Sequence, residues 1–468
     1  MMPLSSRSEV AALREHGLLV LLAVVVLASV LLGVFSPPAA REVQIDSQRD
    51  VNELICVPWV SDSFPINRGS ALGLSKVDSE SSATAIRVDG EPTALRPGEL
   101  IDLGSGRTAR KVLVEGPAAK HVSTMVWAAT DQGMAKGAAM DECRAPGQSW
   151  WFAGLDTTAG SSAALVLVNP DNEDVIATVH GFGPEGAIDV GGGRRLLVRA
   201  ESRTVVDLNL AFPAQPALVV QIGLAEGRVA ASVQSWSVKA DAPRGRSFAA
   251  PMQQPVTKGA VVGLRDQSPV ALLQLLAPDE DATVTVRLST RGGTSDLAGA
   301  DRVVLTAGKV ETISLAPMIS DKATTLVVES SHPVVAAVRQ IAELPGAKDL
   351  EIQTLQPNVT ARASVAVGAP KGTRSVSAYS EAGAVLTYQV YQAGKLAFAG
   401  STEVKPTTSA LVEFSQPLPA GAVVVFETDG TAALTLWLYR SDGNSANLAI
   451  HEETATVLAG TSLMLSTS

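Results

Sequence analysis

ALVVQIGLAEGRVAASVQSWSVK, residues Ala217–Lys239, carries the pattern on which the reading of this chain turns. Leu218, Val220 and Ile222 form an apolar row of period two, Glu226-Gly227 interrupts it, and Val229, Ala231 and Val233 resume it before Trp236. Side chains two apart share one face of a strand, so each run predicts a strand with a buried face. A glycine-containing break between two such runs predicts a β-hairpin. The shape recurs at Val112–Thr130 (VLVEGPAAKHVSTMVWAAT), Thr324–Ala342 (TTLVVESSHPVVAAVRQIA) and Ala422–Arg440 (AVVVFETDGTAALTLWLYR). Trp127, Trp236, Arg339 and Trp437 take matching places about one hundred residues apart, the size of a small domain. Val233, Val335 and Leu434 are then expected inside their repeats.

Around these stretches the remaining strands fall into order. Repeat one opens with LICVPWV, Leu54–Val60. In repeat two, Ala163–Val168 precedes an Asn169-Pro170-Asp171 turn and a return strand from Val175 to Phe182. Repeat three copies this with Val270–Leu276, Pro278-Asp279 and Ala282–Leu288. The fourth copy, with Ser375–Tyr379 and Val385–Ala393, keeps the order more loosely. Helix-forming stretches are nearly absent after Phe35. Short strands with frequent turn signals predict an all-β protein: an N-terminal transmembrane helix followed by about four tandem β-sandwich, immunoglobulin-like repeats. The expected segments are 1–16 (cytoplasmic), 17–35 (anchor), 36–50 (spacer), 51–147, 148–247, 248–357 and 358–468 (repeats). The rival is a β-propeller with two four-stranded blades per repeat, against which stands the usual blade period of ~40–50 residues.

The anchor is GLLVLLAVVVLASVLLGVF, Gly17–Phe35, without a charge. As a helix it would run ~28 Å, close to the ~30 Å hydrocarbon core of a bilayer. Cleavable signals have shorter apolar regions, and Pro38 spoils the only small-residue cleavage site that follows, so an uncleaved anchor is expected. Arg7 and Arg14 hold the N-terminus in the cytoplasm, which places the bulk of the chain outside the cell membrane. An oxidising compartment makes Cys56 and Cys143, the only two cysteines, a disulfide.

The chain is 46% hydrophobic and 18% charged, enough apolar material for several cores and too much for disorder. A net charge of −10 argues against nucleic acid, whose phosphates need clustered Lys and Arg.

Catalytic motifs are hard to find. Gly191-Gly192-Gly193-Arg194-Arg195 lacks the Gly-Lys-Ser/Thr ending of a phosphate loop and precedes a β run. No G-x-S-x-G elbow occurs, and His451-Glu452-Glu453 has no second zincin histidine. The acidic turns Asp171, Glu173, Asp174 and Asp279, Glu280, Asp281 do not match a calcium loop and read as hairpin chemistry. Neither a cofactor nor a metal is expected. Trp59, Trp150 and Trp151 lie near the cysteines in sequence, where a core role competes with stacking on a ligand. Tyr379, Tyr388 and Tyr391 are further candidates for a sugar platform.

Cys143-x-x-Pro146-x-x-x-Trp150-Trp151-Phe152-x-Gly154, then AALVLVNP, ATVHGFGPEG and TVVDL, resembles an actinobacterial family of unknown function. Its members carry one N-terminal membrane segment and an exported region. The resemblance covers most of the chain after the anchor, is best over 143–237, and implies no activity. It hints at the cell envelope through genes neighbouring envelope glycosyltransferases. The expectation is a non-catalytic, membrane-anchored envelope protein that scaffolds or binds through its β repeats. A glycan-binding module of the wall, or a divergent propeller enzyme, are the alternatives. Partners would be an envelope protein or a glycan.

Overall fold

The computed structural model describes residues 50–457 apart from 60–65, 76–84, 117, 134–135, 189–193, 241, 267, 320–323, 345–346, 357–358, 368–372, 440–444 and 451–455. They belong to one compact unit, Arg49–Leu458, rather than to four separable domains. The anchor Gly17–Phe35 lies outside the described residues, among which no helix is long and apolar enough to cross a membrane.

Repeat one holds β1 (Asp50–Cys56), β2 (Asn67–Leu74), β3 (Ala85–Val88), β4 (Glu91–Pro92), β5 (Leu100–Gly104), β6 (Arg110–Glu115), β7 (Val122–Thr130) and β8 (Gly137–Asp141). They form sheets ordered β1-β6-β3-β4 and β5-β2-β7-β8. Repeat two holds β9 (Ser149–Leu155), β10 (Ser161–Val168), β11 (Val175–Gly183), β12 (Gly186–Ile188), β13 (Arg194–Val198), β14 (Arg203–Asp207), β15 (Leu218–Leu224), β16 (Ala230–Lys239) and β17 (Ala242–Ala249). Its sheets run β12-β11-β15-β9, with β13 also on β11, and β14-β10-β16-β17.

Repeat three holds β18 (Val256–Leu264), β19 (Val270–Leu276), β20 (Ala282–Thr290), β21 (Gly293–Asp296), β22 (Val303–Leu305), β23 (Val310–Ser314), β24 (Thr324–Leu344) and β25 (Ala347–Thr354). Repeat four holds β26 (Val359–Val367), β27 (Thr373–Ser380), β28 (Ala384–Gln392), β29 (Lys395–Val404), β30 (Thr408–Val412), β31 (Ala422–Tyr439) and β32 (Ser445–Ile450). A last strand, β33 (Thr456–Val457), returns to pair with β1.

One strand order serves all four repeats. The first strand (β1, β9, β18, β26) pairs with the central strand of its own repeat, which also pairs with the third strand. The central path then passes into the second sheet, between the second strand and the last.

This overturns the hairpin expected at Ala217–Lys239. β15 and β16 do not pair with each other; each is already flanked on both sides, in a different sheet. In repeats three and four the corresponding stretches are single strands, β24 and β31, that run through both sheets. The Glu226-Gly227 break is therefore a crossover between sheets, not a reversal. An immunoglobulin fold sets its first strand beside its second. Here that pairing is missing, so the repeats are β-sheet pairs of another topology.

Within a repeat the two sheets meet through apolar rows, as Leu165, Leu167, Val233, Val179, Val220 and Ile222 do in repeat two. The opposite faces meet the neighbouring repeats. Ile55 and Val57 pack on Val166, Val168 and Ala230, joining repeats one and two. Gln274 on β19 donates to Leu155 O at 2.9 Å and accepts from Gly154 N at 2.9 Å, joining two and three. Ala260, Val262 and Val327 pack on Tyr379 and Ala433, joining three and four. Leu100 packs on Tyr391, Val423 and Val425, joining four to one. The repeats thus close in cyclic order. The arrangement pairs sheets as a sandwich does and stacks them in a cycle as a propeller does.

Trp127, Trp236, Arg339 and Trp437 all lie on the second-sheet half of the central path, but not in one register. Val168 pairs with Ala230 and its repeat-three counterpart Leu276 with Val335, so Arg339 matches Gln234 and Trp236 matches Ile341. The counterpart of Val233 is therefore Val338, and Val335 stands three residues out of step with the expectation, on the opposite face. It shares a face with Arg339, which looks toward repeat two, while Val233 and Leu434 pair with the inward Leu165 and Ala378.

Candidate functional site

Cys56 and Cys143 form a disulfide with Cα atoms 4.1 Å apart. That is just under the ~4.4 Å at which such separations usually begin. The bond ties the end of β1 to the segment after β8, where Ile55 and Arg144 also exchange backbone hydrogen bonds of 2.8 and 3.1 Å.

The candidate ligand tryptophans are corrected by their burial. Trp59, Trp150 and Trp151 are 1%, 1% and 5% exposed, so none offers a ring face to solvent. Trp59 packs edge-on against Phe248 (centroids 5.2 Å apart) and carries the Arg246 guanidinium 4.9 Å above its ring. Trp150 Nε1 donates to Val229 O at 3.1 Å, and Trp151 stacks on Phe182. Tyr379, Tyr388 and Tyr391 are buried as well. A large ring gains most by leaving water: Trp59, Tyr379 and Tyr391 do so against a neighbouring repeat, and Trp150, Trp151 and Tyr388 against strands of their own.

The acidic turns are structural. Asp171 takes a bidentate contact from Arg228 (2.9 and 2.7 Å), which holds its carboxyl below the usual range. Asp174 and Asp281 accept from Ala200 N and Ala307 N, each at 2.8 Å, closing the same turn in repeats two and three. Among the described residues no three His, Cys, Asp or Glu side chains cluster as metal ligands would. Gly191–Gly193 and His451–Glu453 lie outside the described residues.

Charged groups are buried where the last strands meet. β17 touches β8 and β25, and β32 touches β8 and β25, so one strand from each repeat reaches this centre. Arg144 pairs with Asp141 (2.6 Å) and Arg265 with Glu351 (3.2 Å). Arg339 is 3% exposed and meets Ser161, Ser235 and, at 3.9 Å, Asp156, with Arg244 a nearby like charge. Burial lowers its pKa to about 10. A void of ≈ 10 Å³ remains between Asp141, Arg144, Gln353 and Thr435, about enough for one water. This centre sits among packed strands and leaves room for nothing larger than water.

An open cleft of ≈ 380 Å³ lies instead between repeats three and four. Its walls are Arg287 on β20, Thr294, Ser295 and Asp296 on β21, Val327 on β24, Tyr379 on β27, and Glu381 and Thr407 beyond it. Thr407, at φ 55°, turns its carbonyl to accept from Ser289 Oγ (2.8 Å) and from Thr294 Oγ1, while its N–H reaches Ser380 O and Glu381 O. Two repeats are thereby locked at the cleft edge. Lys258 bridges Glu381 (2.6 Å) and Glu329 (3.0 Å), and Arg287 holds the other oxygen of Glu329 at 2.7 Å. Those carboxylates raise the Lys258 pKa, the Glu381 hydrogen bond most. Burial raises that of the Tyr379 phenol, which stays a donor at neutral pH. The arrangement can present donors and acceptors to a small polar ligand; it holds no paired nucleophile and base.

The cleft residues come from segments about ninety residues or more apart in part, and no motif joins them; only the cyclic packing of repeats brings them together. The model of DUF5719, a family of unknown function, matches residues 105–415, a span that contains every residue of the cleft. No curated protein matches the chain.

Proposed function

The chain belongs to DUF5719, and we propose that it is a membrane-anchored, extracytoplasmic protein of the cell envelope that acts as a non-catalytic scaffold or binding accessory. The observation that carries this reading is the cleft between repeats three and four, set in a body whose four repeats brace one another in a cycle. Such a body keeps a binding surface preformed, which spares a ligand the cost of ordering loops. The Cys56–Cys143 disulfide suits an oxidising compartment. The uncharged Gly17–Phe35 stretch, with Arg7 and Arg14 before it, supports an anchor with the repeats outside. The actinobacterial likeness in the Cys143–Gly154 region supports an envelope setting.

Fractionation and protease treatment of intact cells lacking an outer barrier test it. The chain should sediment with membranes, and added protease should degrade the repeats. Crosslinking in those cells should capture an envelope component. A chain recovered in the cytosol, fully protected from protease, would overturn the reading.

A further inference from the structure

We propose that the cleft between repeats three and four binds a short neutral saccharide. The inference rests on the binding role proposed above and names the ligand class for it.

Size comes first. A cleft of ≈ 380 Å³ stands at the small end of the range for ligand sites, room for about one or two sugar rings. Its chemistry then narrows the choice. Tyr379 is 3% exposed, and its hydroxyl has no hydrogen-bond partner among the described residues. That hydroxyl is open to the cleft, where a ligand oxygen can take the place of water on it. Asp296, exposed and across the β20–β21 pair from Arg287, has a carboxylate with no hydrogen bond or ion pair among the described residues. A carboxylate is an acceptor at both oxygens, and two adjacent sugar hydroxyls are two donors at matching spacing. Ser295 adds a hydroxyl that both donates and accepts. Arg287, held by Glu329 through one Nη, keeps further N–H groups for a ring or glycosidic oxygen. A polyol satisfies all of these at once.

Charge and polarity weigh against an anionic or an apolar ligand. Lys258 and Arg287 are already paired with Glu381 and Glu329, which leaves the Asp296 charge over. An anionic polymer would be repelled by that carboxylate. An apolar ligand would leave Tyr379 and Asp296 without partners. No exposed aromatic ring is required, which separates this site from the tryptophan platform expected from the sequence.

The full-length chain in detergent, titrated with a panel of trisaccharides by ligand-observed NMR, tests the proposal. The panel holds glucose, mannose, galactose and arabinose trisaccharides, an anionic uronic acid trisaccharide and the polyamine spermidine; isolated cell wall forms a separate pelleting arm. At least one neutral trisaccharide should bind, and Asp296→Asn and Tyr379→Phe should each weaken it tenfold or more while the melting temperature holds. Wall retention that the same sugar competes away identifies a polymer source, and binding of the sugar without wall retention a free one; either supports the site. Binding by no neutral sugar, binding only by the anion or the polyamine, or unchanged affinity in both variants would overturn it. If Tyr379→Phe lowers the melting temperature, the exposed Asp296→Asn still decides. Loss of sugar binding in a chain that remains a membrane-anchored envelope protein defeats this inference alone.

Discussion

The two faces of each second sheet are built from different chemistry. The face turned inward, toward its own repeat, is aliphatic; in repeat two it shows Leu165, Leu167, Ala231 and Val233. The face turned toward the preceding repeat mixes apolar residues with buried polar ones: Gln234 reaches Pro58 O (2.9 Å), Gln274 reaches Leu155 O, and Arg339 faces Ser161 and Asp156. Aliphatic contact is non-directional and tolerates sliding, whereas a buried amide is satisfied in only one placement. Inward faces thus supply burial, and outward faces choose which repeat sits next and at what offset.

The largest test of this contrast sets Leu165→Ala against Trp437→Ala. Leu165 lies wholly within repeat two, and Trp437 packs on Gly263 and under the Arg265 guanidinium (5.3 Å) of the neighbouring repeat. Truncation should cost ~2–5 kcal/mol at Leu165 and ~3–5 at Trp437. Chemical denaturation should show one transition for Leu165→Ala, since the repeats form one unit. Two transitions in both variants would mean that the repeats fold independently.

Removing the disulfide comes next. Replacing Cys56 and Cys143 by Ala frees a sequence separation of 87 residues. Loop entropy puts that at about 4.6 kcal/mol as an upper figure, and ~2–4 is the usual yield. Because the bond joins the first sheet of repeat one to the segment following its second, the variant should expose β1 to hydrogen exchange before β10. Uniform loss of protection would argue against that.

A smaller pair of changes separates useful from costly polarity. Gln274→Met strands Gly154 N–H and Leu155 C=O and should destabilise by ~1–3 kcal/mol. Arg339→Met should be neutral or stabilising, because this guanidinium is desolvated without a close carboxylate. The sign of the pH effect follows. The folded pKa is lowered by burial to about 10 from the ordinary guanidinium value, so above pH 10 the unfolded chain binds more protons and stability attributable to Arg339 rises. The advantage of Arg339→Met over the wild type should therefore shrink between pH 10 and 12. A constant difference in thermal melts across that window would reject the burial cost.

The smallest effect belongs to a half-buried ion network at the edge of repeats one and two. Glu53 takes Arg228 (2.6 Å) and Lys111 (2.7 Å) across repeats one and two, with Asp171 beyond. Glu53→Gln should cost under ~1 kcal/mol at low salt and less at high salt. Asp171, its pKa lowered chiefly by the Arg228 hydrogen bond, stabilises at neutral pH and loses that contribution as pH falls through its folded pKa, below the usual 3.8.

Much of the molecule could be read from residues in order. Period-two rows such as Val284, Val286 and Leu288 mark strands, because alternation is imposed by the backbone itself. Asp174 and Asp281 close matching turns, so the repeat period was visible, and two cysteines admit one bond. Alternation says that a face is buried; it does not say against what. For that reason the two runs of Ala217–Lys239 looked like partners when each was already flanked in its own sheet. Trp59 and Trp150 looked available to a ligand for the same reason, since only the neighbouring strands and repeats bury them. The cleft depends on contacts such as Ser289 Oγ to Thr407 O, between residues with a sequence separation of 118. Local propensity acts over a few residues. Tertiary packing alone decided which sheets share a strand and which repeats face each other, because burial free energy depends on whatever surface arrives, whatever its place in the chain.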